Sequence, residues 1–169
     1  MYLLDTSVVS EYLKKKPSRK VIKWLDAQDE RSLYISCLTI AELRKGYYKL
    51  ERRTASTPEN KRAAKISAWI QELEERFRDR NLDVDNDVLE KWATLCGYSE
   101  AEGNKLPVID SLLAACALAR DLTVVTLNEA DFMRCSGVVK IYNPDRQADE
   151  TQKKPMLPQS VQAPRNVRK

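Results

Sequence analysis

The sequence predicts an α/β fold with a mostly parallel central sheet flanked by helices. Two observations carry that prediction. Four short apolar or β-branched runs have the composition of strands buried on both faces: Leu3 and Leu4 in YLLD, LYIS at 33–36, TVVT at 123–126 and VKIY at 139–142. Helical patterns fill the stretches between them, and strands alternating with helices build parallel sheets. The length of 169 residues suits one compact unit, by the rough measure of about 150 residues per domain.

Each element has its own signal. The first strand ends at Asp5, and helices are read at 7–15 and 18–27 before the LYIS strand. A helix at 39–52 follows. The clearest helix covers 58–80: Thr57 stands as N-cap, Pro58 takes the first helical position, and Ile66, Ile70, Leu73 and Phe77 recur on one face that Trp69 widens. Asp83, Asp85 and Asp87 imitate the opening of a calcium loop, but Val88 stands where glycine is needed and Thr94 where glutamate is needed. That run instead ends a strand and caps a helix at 86–96. A helix at 108–120 precedes the TVVT strand, and VKIY is the last. Beyond Tyr142 the periodicity fades among Pro144, Pro155, Pro158 and Pro164, so 1–146 is read as the folded unit and 147–169 as a flexible basic tail.

Composition removes several function classes. The chain has no histidine, which excludes Ser-His-Asp triads, Cys-His pairs and histidine metal sites. Cys37, Cys96, Cys116 and Cys135 are far apart without a C-x-x-C pair and read as ordinary buried thiols. Gly97 and Gly103, followed by Asn104, miss the spacing of a phosphate-cradling loop. No apolar run approaches the roughly 18–20 residues of a membrane span, and the lysines of MYLLDTSVVSEYLKKK follow the apolar stretch, the reverse of a secretory signal. A cytoplasmic protein with no membrane partner is expected. Most of the formal net charge of +4 sits in the tail, so bulk charge does not decide for nucleic acid.

Carboxylates are left to carry any chemistry. In an open parallel sheet, ligands gather beyond the carboxyl ends of the strands. Asp5, Glu42, Asp110, and Asn128 with Asp131 fall there. Each has an ordinary role open to it. Asp5 is placed to cap a helix, Thr39 and Glu42 spell a capping box in which Glu42 would bond the Thr39 amide, and Asp110 complements a helix dipole. Convergence changes the balance. Unit charges about 4 Å apart repel by about 4 kcal/mol at an effective dielectric near 20, so such a cluster calls for protons or a cation. Oxygen ligands suit Mg²⁺ or Mn²⁺. A phosphatase of the haloacid-dehalogenase type also begins with an acid after a strand, but its second aspartate is replaced here by Ser7.

Four ordered segments, YLLDTSVVSEYL, LTIAELRKG, LPVIDSLLAACAL and TVVTLNEADF, give residues 1–145 a resemblance to PIN-domain ribonucleases, specifically the VapC-like toxins of type II toxin–antitoxin pairs. The resemblance implies an α/β/α nuclease that binds Mg²⁺ or Mn²⁺ through Asp5, Glu42 and Asp110 and cleaves single-stranded regions of RNA. Thr6, Ser7 and Thr126 would help hold waters or the acids. The family's fourth polar position falls on Asn128, which would support metal-bound water, with Asp131 contributing charge. It further implies a homodimer held inactive by a small antitoxin protein in the groove beside the acids.

Residues 44–53, RKGYYKLERR, form the densest basic cluster of the folded body. Arg44, Lys45, Lys49, Arg52 and Arg53 would hold phosphates while Tyr47 or Tyr48 stacks on a base; the alternative is a solvated helix face with the tyrosines in the core. Two other classes stay open at this stage. A non-catalytic binding module would keep the sheet and lose the metal, and a phosphatase for small substrates would keep the acids without needing the basic cluster.

Overall fold

The structure is a computed structural model that describes residues 1–55, 60–133 and 138–146. The expected Thr57 cap and Pro58 start, Cys135, and the 147–169 tail lie outside the described residues. Five strands, β1 (Tyr2–Leu4), β2 (Leu33–Ser36), β3 (Asn81–Leu82), β4 (Thr123–Val125) and β5 (Lys140–Tyr142), form one sheet. Their order is β3-β2-β1-β4-β5, with every neighbouring pair parallel. The helices are α1 (Thr6–Val9), α2 (Arg19–Asp26), α3 (Cys37–Thr54), α4 (Asn60–Arg76), α5 (Asn86–Ala101), α6 (Val108–Ala119) and α7 (Glu129–Phe132).

Alternation along the strands divides the helices between two faces. Leu3 and Val124, paired in register, pack with Val88 of α5, with Leu113 and the Ala114–Ala117 stretch of α6, and with Phe132 of α7. Leu4, Ile35 and Val125 point the other way, onto Val8 and Val9 of α1, Val21 and Leu25 of α2, Ile40 and Leu43 of α3, and Ile70 of α4. The runs of β1, β2 and β4 are therefore covered on both sides, as an α/β/α layering requires, while the edge strand β5 exposes Lys140. Among the described residues, no helix is long and apolar enough to cross a membrane.

Several boundaries depart from the sequence reading for identifiable reasons. The 7–15 helix breaks into α1 and a 3₁₀ turn at Ser10–Leu13, because the buried Glu11 carboxylate pairs with Lys14 and accepts the Ser18 amide at 2.8 Å, pulling the chain out at Lys14. The 39–52 helix starts earlier, at Cys37, with the Ser36 hydroxyl accepting the Leu38 amide. Thr39 is consequently inside the helix. Its hydroxyl donates to the Leu4 carbonyl at 3.2 Å, so the Thr39–Glu42 capping box does not form. The 58–80 helix stops at Arg76 because the Arg80 guanidinium is anchored to the Glu30 and Leu33 carbonyls, 2.5 and 3.0 Å away, next to β2. The 86–96 helix runs on to Ala101, and the strand that the aspartate run ends is β3, with Asp85 accepting the Val88 amide at 3.0 Å. Gly103 then takes a φ of +80°, which turns the chain after α5. Of the described cysteines, all free, only Cys116 is fully buried; Cys37 and Cys96 are half-buried.

The strand order reverses direction between β1 and β4. That switch point opens a crevice at the carboxyl ends of the two central strands.

Candidate active site

Asp5 follows β1 at this crevice and is buried. It stands at the N-cap position of α1, yet its side chain makes no capping bond. Its Oδ2 instead accepts two hydroxyls, Ser7 Oγ at 2.6 Å and Thr126 Oγ1 at 2.7 Å. Both hydroxyls are oriented by amides from the loop after β4: Leu127 N–H donates to Ser7 Oγ and Asn128 N–H to Thr126 Oγ1, each at 3.0 Å. With their acceptor sides taken, the protons of both hydroxyls are left for Asp5. Among the described residues, Asp5 Oδ1 has no such donor.

Glu42, one turn into α3, accepts Thr6 Oγ1 at 2.8 Å on one oxygen and Lys45 Nζ at 3.2 Å on the other. Asp110 lies in the first turn of α6. Burial, followed by the carboxylates of Asp131, Asp5 and Glu42, pushes it up to about 6, against a downward pull from Lys45. Asp5, Glu42 and Asp131 are acids that the sequence reading placed at this edge, and each adds to the upward push at Asp110. Asp131, in α7, receives the Asn128 side-chain amide. Asn128 is the N-cap of that short helix, so the two side chains meet across its first turn.

The donor set fits a hard divalent cation, since every candidate ligand is a carboxylate oxygen and the chain has no imidazole. Among the described residues, no three acids close into a finished metal cage. Mg²⁺ characteristically keeps several waters and takes few protein carboxylates, so an open cluster is compatible with it.

The basic cluster on α3 divides. Arg44 is committed to Glu74 of α4 through two bonds of 2.7 and 2.8 Å, and Lys45 to Glu42. Lys49, Arg52 and Arg53 are exposed and make no ion pair among the described residues. Tyr47 packs against the core while Tyr48 is exposed, as adjacent helix positions require. A feature with little sequence signal is a groove of about 360 Å³ that starts at Thr6 and Glu42 and continues past Lys14, Gly46, Tyr47 and Arg62. Its one trace in the sequence is a glycine in mid-helix.

This architecture has known counterparts. Residues 2–137 match the PIN domain family. The chain is 33% identical over 133 residues to VapC ribonuclease Y4jK of Sinorhizobium fredii, covering 78% of this chain and 90% of that protein. It is 31% identical over 144 residues to toxin FitB of Neisseria gonorrhoeae, covering 85% and 98%. The crystal structure of FitAcB from Neisseria gonorrhoeae superposes with a TM-score of 0.74 at 30% identity, again over 85% of this chain and 98% of that one. The chain belongs to the PIN domain family, within the VapC/FitB toxin group of toxin–antitoxin systems.

Proposed function

We propose that the protein is a metal-dependent endoribonuclease and the toxin of a toxin–antitoxin pair. What supports this is the match to the PIN domain family together with the crevice at the carboxyl ends of the central strands, where Asp131, Asp5 and Glu42 each add to the upward push that burial exerts on Asp110. Asp5, Glu42 and Asp110 would hold Mg²⁺ or Mn²⁺. A cation bound there lowers the pKa of its water and offsets charge on a phosphate. Ser7 and Thr126 keep the Asp5 carboxylate in one orientation, and Thr6 does the same for Glu42. Positive charge nearby favours the ionised form of Asp110, as the downward pull of Lys45 already does. Asn128, bonded to Asp131, offers its remaining polar groups to a water. Lys49, Arg52 and Arg53 supply phosphate contacts that position the strand without reading its sequence.

Membership of the toxin group supports a small antitoxin partner that covers the acids, and a homodimeric assembly. The test of the catalytic reading is cleavage of a structured RNA by the antitoxin-free chain. Cutting with Mg²⁺ or Mn²⁺ that stops in chelator and is lost in Asp5→Asn is expected. Equal cutting in chelator overturns it.

A further inference from the structure

The lysines that follow the first apolar stretch have no role in the site described above. Residues 14–23 read KKKPSRKVIK, and Lys15, Lys16, Arg19 and Lys23 are exposed and make no ion pair among the described residues. The segment is held at both ends. At its start the buried Glu11 carboxylate pairs with Lys14 and accepts the Ser18 amide at 2.8 Å, which closes the loop from Lys14 to Ser18. At its far end Ser18 Oγ donates to Asp145 Oδ1 at 2.6 Å, and Lys20 Nζ to the Asp145 carbonyl at 3.4 Å. Pro17 restricts the backbone between these anchors.

Both anchors lie at the edge of the sheet that carries the acids. Lys14 borders the groove that opens at Thr6 and Glu42, and Asp145 follows the carboxyl end of β5, where the Tyr142 carbonyl accepts the Thr126 amide at 3.0 Å. The loop therefore reaches from the Glu42 side of the crevice to its β5 side.

Charge selects the occupant. Lys14, Lys15, Lys16, Arg19, Lys20 and Lys23 face three carboxylates, those of Glu11, Asp26 and Asp145. Glu11 is taken up by Lys14 and the Ser18 amide, Asp145 by the Ser18 hydroxyl, and Asp26 by the Tyr12 hydroxyl at 3.0 Å. The next charges along the edge, Arg146 and Glu129, pair with each other at 3.0 Å. The crevice itself is acidic and repels phosphate, so a strand that crosses it needs cations at its flank. No large apolar side chain is exposed between Lys14 and Lys23. A protein interface needs an apolar core and a membrane-surface segment an apolar face, whereas a phosphate chain needs neither.

We infer that the loop from Lys14 to Lys23 is a phosphate-binding rail for single-stranded RNA, on which Lys15, Lys16 and Arg19 hold the backbone beside the nucleotides cut at the acids. The inference rests on the ribonuclease reading and adds a second stretch of the strand's path. Ammonium groups act as point charges, so the lysines of the rail accept any base sequence. Because Glu11, Pro17 and Ser18 shape the loop beforehand, little ordering is left for the moment of binding.

The test uses the full chain without antitoxin and a fluorescent single-stranded RNA. Binding is measured in chelator over a range of salt, cleavage with Mn²⁺, and the melting temperature alongside. The triple variant Lys15→Ala, Lys16→Ala, Arg19→Ala is expected to melt with the wild type, since all three side chains are exposed. It is expected to raise Kd about tenfold at low salt and to flatten the slope of log Kd against log salt by about two, at about 0.7 per phosphate contact. KM for cleavage should rise more than kcat falls. The variant Lys15→Arg, Lys16→Arg, Arg19→Lys keeps every charge and is expected to bind as the wild type does. Should the triple-alanine variant melt lower, Lys15→Ala with Lys16→Ala carries the comparison, with a slope change of about 1.4. A wild type that binds and cuts, beside alanine variants of equal Kd and salt slope, overturns the inference and leaves the ribonuclease reading standing. A wild type that neither binds nor cuts RNA removes that reading and the inference with it. Equal RNA binding together with lost binding to phosphatidylserine vesicles assigns the loop to a membrane surface and overturns the inference.

Discussion

Replacing Asp110 by asparagine removes one charge from a crowded cluster while nearly preserving shape. Its carboxyl is raised from an ordinary 3.8 to about 6, chiefly by burial and then by Asp131, Asp5 and Glu42. Because the folded pKa lies above the unfolded one, the stability is complete below about pH 4 and is lost as pH rises through about 6. Two units at about 1.4 kcal/mol each bound the cost of the ionised form near 3 kcal/mol, and screening by water at a half-buried carboxyl brings it to about 1–2 kcal/mol. The amide gives up about 0.3–1 kcal/mol of interaction with the α6 dipole. The net expectation in chelator at about pH 7.5 is that Asp110→Asn is more stable by about 1 kcal/mol, or about 2–4 °C in melting temperature. The advantage should vanish by about pH 4, where the wild-type carboxyl is neutral. With Mn²⁺ added, the wild type should gain stability and the variant should gain less. Melting curves across that pH range, with and without metal, make the measurement. A variant that melts below wild type in chelator at about pH 7.5 refutes the reasoning, since the dipole term would then outweigh the repulsion.

Thr126→Val deletes a buried hydroxyl that serves both Asp5 and the Asn128 amide. It should cost about 1–3 kcal/mol in urea unfolding and reduce RNA cleavage more than RNA affinity. Gly103→Ala forces a Cβ onto a residue at φ +80°, where no neighbouring atom obstructs it. The loss should therefore be backbone strain alone, about 1 kcal/mol, and Gly103→Asn should lose less in the same unfolding assay.

The strands and the order of the acids were legible because each depends on a few contiguous residues. LYIS and TVVT declare strands by composition; Asp5 directly follows a strand end and Asp110 lies in the first turn of its helix, while Glu42 falls in the second turn of α3, which starts at Cys37. What was illegible depends on partners remote in sequence. Thr39 spells an N-cap locally, but the carbonyl of Leu4, 35 positions earlier, claims its hydroxyl. Arg44 belongs to a basic run on paper, yet Glu74 neutralises it across the helix pair. The helix expected to continue to residue 80 ends at Arg76 because Arg80 finds carbonyls near β2, a contact that no periodicity encodes. The groove was equally hidden, since Lys14, Glu42 and Arg62 come to line it only once the N-terminal 3₁₀ turn, α3 and α4 lie side by side.

The hydrogen bond between Thr126 and Asp5 spans 121 positions of chain. Asp5 is synthesised well before the Thr126 hydroxyl and the Leu127 and Asn128 amides that complete its frame, all of which depend on β4. Until then β1, a central strand, lacks one of its two neighbours, and the crevice has a single wall. A polypeptide released early thus carries Asp5, Glu42 and even Asp110 without the frame that brings them to bear. Whatever these acids do to a nucleic acid, they do it only after β4 and the loop that follows it have been made.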